Sequence, residues 1–163
     1  MRSRTSNWFE TKIRYEKMME DGRQKMTTEM YVVDALSFTE AESAIIEEMS
    51  AYISGDFKVT GIAQATYGEV FFSENEADDR FFKAKLQFIT IDEKTQKEKR
   101  SNVLYLVQAH SLQTAVKYVE EVMGGTMIDY AIAAIQETAI MDVFEHNAVK
   151  KEERNDQPEY EQQ

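Results

Sequence analysis

Side chains alternate through two short stretches of the chain. Phe9, Thr11, Ile13 and Tyr15 share one parity in the first, and Phe82, Ala84, Leu86 and Phe88 share it in the second. A period of two places successive side chains on opposite faces of a strand, so each stretch predicts a half-buried β-strand. A turn follows each: Asp21-Gly22, a pair suited to positive φ, and the charged run from Asp92 to Arg100. Tyr31-Val32-Val33 and Tyr105-Leu106-Val107 then predict second strands. The period changes beyond them. Ala41, Ile45 and Met49, and likewise Ala115, Val119 and Met123, recur every fourth residue, the buried stripe of a helix. Ser37 and Ser111 stand where N-caps fall; Glu40 completes a capping box in the first helix, and Thr114 makes a weaker one in the second. Gly55 and the pair Gly124-Gly125 are expected to end the helices. A long third strand is expected to close each half, with Gly68 as a bulge in the first.

The two halves match each other. Glu29 to Met49 lies over Val103 to Met123 at an offset of 74, without a gap, and seven of the 21 positions are identical, among them Tyr31/Tyr105, Ala35/Ala109, Ser37/Ser111 and Met49/Met123. Unrelated sequences would share about one or two. The flanks match at an offset of 73, Trp8-Phe9 over Phe81-Phe82 and Phe57 to Phe72 over Tyr130 to Glu145. The predicted fold is therefore α+β: internally duplicated β-β-α-β units with pseudo-twofold symmetry, and an antiparallel sheet with two helices packed on one side. Residues 1–146 read as a single domain of two repeats, 8–72 and 81–145, joined by an acidic linker over 73–80. Residues 147–163 hold too little apolar surface to order themselves and read as a disordered polar tail.

The strings YVVDALSFTEAES, YGEVFFSENEADDRFFKAKLQFITIDEKTQKEKRSN and GGTMIDYAIAAIQETAIMDVFEH resemble domain-of-unknown-function family 4494, found in Bacteroidetes-type bacteria and their phages. The resemblance spans Arg2 to His146. It implies a small bacterial or phage protein, and it carries over no activity and no site residues.

Composition narrows the classes. With 42% hydrophobic and 30% charged residues the chain is an ordinary folded protein. It has no cysteine, which excludes disulfides, thiolate metal sites and cysteine nucleophiles. Its first dozen residues are basic without a signal peptide's apolar core, and no run approaches a membrane span, so a cytoplasmic location without membrane contact is expected. A net charge of -11 argues against a generally basic nucleic-acid binder, but does not fix the charge of one face.

The same alternation supplies the functional clue. If Phe9, Ile13 and Tyr15 face inward, Trp8, Lys12 and Arg14 face outward, and Phe81, Lys83 and Lys85 repeat the arrangement. Arg100, with Lys97 and Lys99, extends the positive area. An exposed ring followed by cations on a sheet suits single-stranded DNA or RNA, whose bases stack while phosphates meet the cations. The expected function is non-enzymatic single-stranded nucleic-acid binding, with no cofactor. The alternative is a protein-interaction or homo-oligomeric assembly module, because Met30, Val32, Leu104 and Leu106 make the same outer face partly apolar.

Other groups carry less. Glu74, Glu76, Asp78 and Asp79 lack calcium-loop spacing and read as solvated linker. His110 and His146 lack ligand spacing and read as surface residues; Glu47-Glu48 and Glu120-Glu121 read as solvated helix faces. The acidic tail has the character of a segment that competes for a nucleic-acid groove, although solubilising disorder accounts for it more simply.

Overall fold

The computed structural model describes residues 1–146; the tail reading of 147–163 lies outside the described residues. The elements in chain order are β1 (Arg2–Thr5), β2 (Trp8–Met18), β3 (Gln24–Asp34), α1 (Phe38–Ser50), β4 (Phe57–Gln64), β5 (Glu69–Phe72), β6 (Arg80–Ile91), β7 (Glu98–Ala109), α2 (Leu112–Gly124), β8 (Tyr130–Glu137) and β9 (Ile140–Phe144). The class is α+β. The single antiparallel sheet expected from the sequence is instead two sheets, ordered β4-β2-β3-β9 and β1-β5-β7-β6-β8, and the second is mixed because β5 runs parallel to β7. Each expected long third strand divides at a break, into β4 and β5 and into β8 and β9, and the two pieces join different sheets. Strand β1 has no counterpart in the sequence reading.

The chain forms two compact units. Among the described residues, the first comprises Asn7–Ala65 with Asp142–His146; the second comprises Met1–Ser6 with Thr66–Met141. Matching β2, β3 and β4 to β6, β7 and β8 gives both sheets one order, with β9 beside β3 and β5 beside β7. The registers correspond too. Ile13 faces Glu29 as Leu86 faces Val103, and the pairing with the next strand slips between Lys12 and Ile13 as it slips between Lys85 and Leu86.

In the first unit α1 covers the face carrying Phe9, Ile13 and Val33. Ala41 and Ala44 pack on Phe9, and Ile45 and Met49 on Ile13. In the second unit α2 covers Phe82, Ala84, Leu86 and Val107, with Ala115 on Phe82 and Val119 and Met123 on Leu86. Burying each of these side chains contributes roughly 1.5–3 kcal/mol for the larger ones. Both helices start as read. Ser37 Oγ accepts from the N–H of Glu40 at 3.1 Å, and Ser111 Oγ accepts from the N–H of Thr114 at 3.2 Å.

The helix ends differ from expectation. Ala51 and Gly125 close α1 and α2 in right-handed conformation, so neither end uses a glycine's freedom, and Gly55 lies beyond the α1 cap. Positive φ is confined, among the described residues, to the two hairpin turns: Gly22 at 82° and Gln96 at 59°.

Candidate nucleic-acid interface

The sequence-derived strip is only partly present. Trp8 and Phe81, expected outside as stacking rings, are buried, at 1% and 2% exposure. Alternation did assign them to the face opposite the helix. That face, however, is itself closed at their end of each sheet: Val32 and Asp34 are buried in the first unit, and Val70, Phe72 and Leu106 in the second. Rings of this size bury roughly 150–250 Å² of apolar surface, which favours their removal from water. Met30 and Leu104 are half-buried.

The cations fare unevenly. Lys12, Arg14 and Lys85 are exposed. Lys83 is half-buried, its Nζ 5.7 Å from the centre of the Tyr67 ring. Arg100 is tied down, with Nε 3.3 Å from Glu98 Oε2 and Nη1 donating to Gln87 Oε1 at 3.2 Å. The structure therefore does not gather the seven predicted residues into two equivalent strips.

It gathers a different set in the first unit. Arg14 on β2 and Lys58 on β4 are Cα partners, so their side chains share the face away from α1. Both are exposed, and neither makes an ion pair among the described residues. Two like charges directly opposite each other destabilise a sheet unless an anion bridges them. They line a cleft of about 790 Å³ at the end of the sheet, walled by Arg14–Met18 of β2, by Gln24 and Met26 of β3, and by the segment Tyr52–Lys58 that follows α1. Cavities of this size suit small organic ligands.

Rings border the α1 side of the same sheet end, opposite the face that carries the Arg14 and Lys58 side chains. Tyr52 is 72% exposed. Its other side rests on Phe144 at 6.4 Å with planes 25° apart, and Phe144 in turn stacks on Tyr31 at 5.7 Å. A ring held from behind with its front free is a stacking surface. Phe57 and Tyr15 are half-buried in the wall, and Glu16 and Asp56 add two carboxylates to the lining.

The inner polar group is Glu29, 7% exposed. Its Oε1 accepts from Tyr15 Oη at 2.6 Å and from Tyr31 Oη at 3.3 Å, and its Oε2 accepts from Lys17 Nζ at 3.3 Å. Burial, together with the hydrogen bond to Glu29 and its charge, pushes the Tyr15 phenol up to about 12, and burial followed by the Glu29 charge pushes Tyr31 up as well. Sequence reasoning missed Lys17, Glu29, Tyr52 and Lys58. Glu29 carried a signal, since it shares the inward parity of Tyr31 and Val33. Tyr52 and Lys58 carried none, because their proximity to Arg14 depends on strand pairing.

Two residues set aside earlier, His146 and Asp78, are more tightly bound than expected. His146 is buried rather than at the surface, with Nδ1 3.4 Å from Glu48 Oε1 and Nε2 3.5 Å from Glu47 Oε2. Asp78, read as solvated linker, is buried and accepts from Tyr118 Oη at 2.5 Å and from Ser73 Oγ. His110 is exposed, as read, with Nδ1 3.1 Å from the Ala77 carbonyl oxygen. No helix among the described residues is long and apolar enough to cross a membrane.

Residues 7–146 match the model of a family described as a domain of unknown function (DUF4494). No curated protein and no solved structure matches the chain.

Proposed function

We propose, for a chain that belongs to the DUF4494 family and inherits no assigned activity from it, that the first unit binds single-stranded nucleic acid in the Arg14–Lys58 cleft. One observation carries this reading: Arg14 and Lys58, exposed and without an ion pair among the described residues, face each other across β2 and β4 on the sheet face away from α1. A phosphate between Arg14 and Lys58 relieves their repulsion. Lys12, two residues along the same face, extends the cationic track. The role is binding, without chemistry on the ligand.

The test is fluorescence anisotropy of a labelled single-stranded oligonucleotide titrated with the full chain at low and high salt. Binding that weakens with salt, and is lost in Arg14→Glu and Lys58→Glu, is the expected result. Binding of equal strength in wild type and both variants overturns the assignment.

A second reading rests on the hairpin between β2 and β3, where Met18, Met19 and Met26 are exposed. Flexible thioether side chains adapt to varied apolar partners, which suits a protein-interaction or assembly role. Light scattering on the same samples separates the two. Self-association that resists salt, with no oligonucleotide bound, favours this second reading.

A further inference from the structure

The cation pair on the sheet face away from α1 has no counterpart in the second unit. At the positions corresponding to Arg14 and Lys58, paired in the same register, stand Gln87 and Ala131. The fold therefore does not require charge at this place. Lys12 shares the face with Arg14 and is exposed like both members of the pair. Glu16 and Asp56 belong to the same end of the sheet, yet among the described residues neither forms an ion pair with Arg14 or Lys58.

The unit that carries the pair is also the unit from which the last part of the chain departs. Phe144 stacks on Tyr31 and Tyr52, and the ring nitrogens of buried His146 lie 3.4 Å from Glu48 Oε1 and 3.5 Å from Glu47 Oε2 on α1. The chain beyond His146 is thus rooted on α1. Its sequence divides by charge: Lys150 and Lys151 precede Glu152, Glu153, Asp156, Glu159 and Glu161, with Arg154 as the one cation among these carboxylates.

Length decides whether the carboxylates reach the pair. Ten residues along the chain separate Glu48, which His146 contacts, from Lys58. The straight-line gap is therefore at most about 35 Å, since an extended residue spans ~3.3–3.6 Å. Glu159 and Glu161 stand 13 and 15 residues beyond His146. That stretch can extend to about 45–50 Å, which leaves roughly 10–15 Å for the path around the edge of the sheet.

We propose that the carboxylates of residues 152–163, Glu159 and Glu161 first among them, occupy the Arg14–Lys58 pair in the free protein and are displaced by the nucleic-acid ligand. This rests on the reading of the pair as a phosphate site and adds its regulation. A tether of this length gives an effective concentration of about millimolar, while each exposed ion pair is weak. The competition therefore lowers ligand affinity severalfold, not by orders of magnitude.

Two measurements on the full chain test it. The first needs no nucleic acid: a carbodiimide, which condenses an amine with a carboxylate in contact, is applied at low and high salt, and the joined peptides are mapped by mass spectrometry. The expected result is a link from Lys58 or Lys12 to Glu159 or Glu161 within one chain, suppressed by high salt and by Arg14→Gln. No such link at low salt overturns the proposal. So does a link found only between two chains, which makes the occupant a second copy.

The second is oligonucleotide anisotropy with Glu152→Gln, Glu153→Gln, Asp156→Asn, Glu159→Gln and Glu161→Gln combined. The expected gain in affinity is about two- to fivefold at low salt and vanishes at high salt. The control changes Glu74, Glu76, Glu93, Glu120 and Glu121 to Gln, five exposed carboxylates of the second unit, and so reaches the same net charge. An equal gain in the control overturns the proposal, because general repulsion then accounts for it. A link without oligonucleotide binding by wild type or the combined variant brings down the nucleic-acid reading, and the displacement with it, while the docked segment stands.

Discussion

At the scale of single residues, alternation names a face but not what that face meets. It assigned Trp8 and Phe81 correctly to the side away from the helices, yet both are buried, because each sheet is closed on both faces at that end. The same rule placed Tyr15 inward, where it turned out to border a cleft. The phenol of Tyr15 makes a testable case. Its ordinary value is 10.0, which applies in the unfolded chain; in the folded chain burial and Glu29 hold the proton to about 12. The folded-state value is raised, so the stability it contributes is complete below pH 10 and is lost as pH climbs from 10 towards 12. Urea denaturation midpoints should therefore fall across that window, and Tyr15→Phe, with no proton to lose, should flatten part of the fall. An identical slope in the variant would assign the alkaline loss to other groups, Tyr31 among them.

Elements were more legible than sites, since local chemistry decides them. The serine caps, the helix stripes and the Gly22 turn all follow from residues within a few positions of one another. The breaks between β4 and β5 and between β8 and β9 were not legible. A continuous β pattern runs through each break, and the strands part because they pair with different sheets, a tertiary outcome. The cap of α1 gives this scale its prediction. Ser37 satisfies the Glu40 N–H, one of the donors a helix start leaves unpaired, so Ser37→Ala should cost about 1 kcal/mol. Trp8, buried in the same unit, reports the transition: its emission should shift at a lower urea concentration in the variant, with the steepness unchanged. A shift in steepness would mean that the variant altered the unfolded state or broke the two-state transition.

At the scale of the whole molecule, a net charge of -11 repels polyanions, and only a local concentration of unpaired cations overcomes it. Composition could therefore exclude a broad basic surface but could not locate the cleft, where Arg14 and Lys58 come from residues 44 positions apart. The proposal fixes how binding should respond to salt. A single strand releases about 0.7 counterions for each phosphate contacted. Two contacts, at Arg14 and Lys58, give a slope near -1.4 in log affinity against log salt, and a third at Lys12 brings it to about -2. Lys12→Gln should reduce the slope by about 0.7 and leave residual binding. Lys85→Gln, on the corresponding strand of the second unit where Gln87 and Ala131 replace Arg14 and Lys58, should leave it unchanged. A slope several times steeper would require a wider cationic footprint than these three residues provide. A slope near zero would take phosphate out of the interaction and leave the exposed methionines of the first hairpin as the surface that recognises a partner.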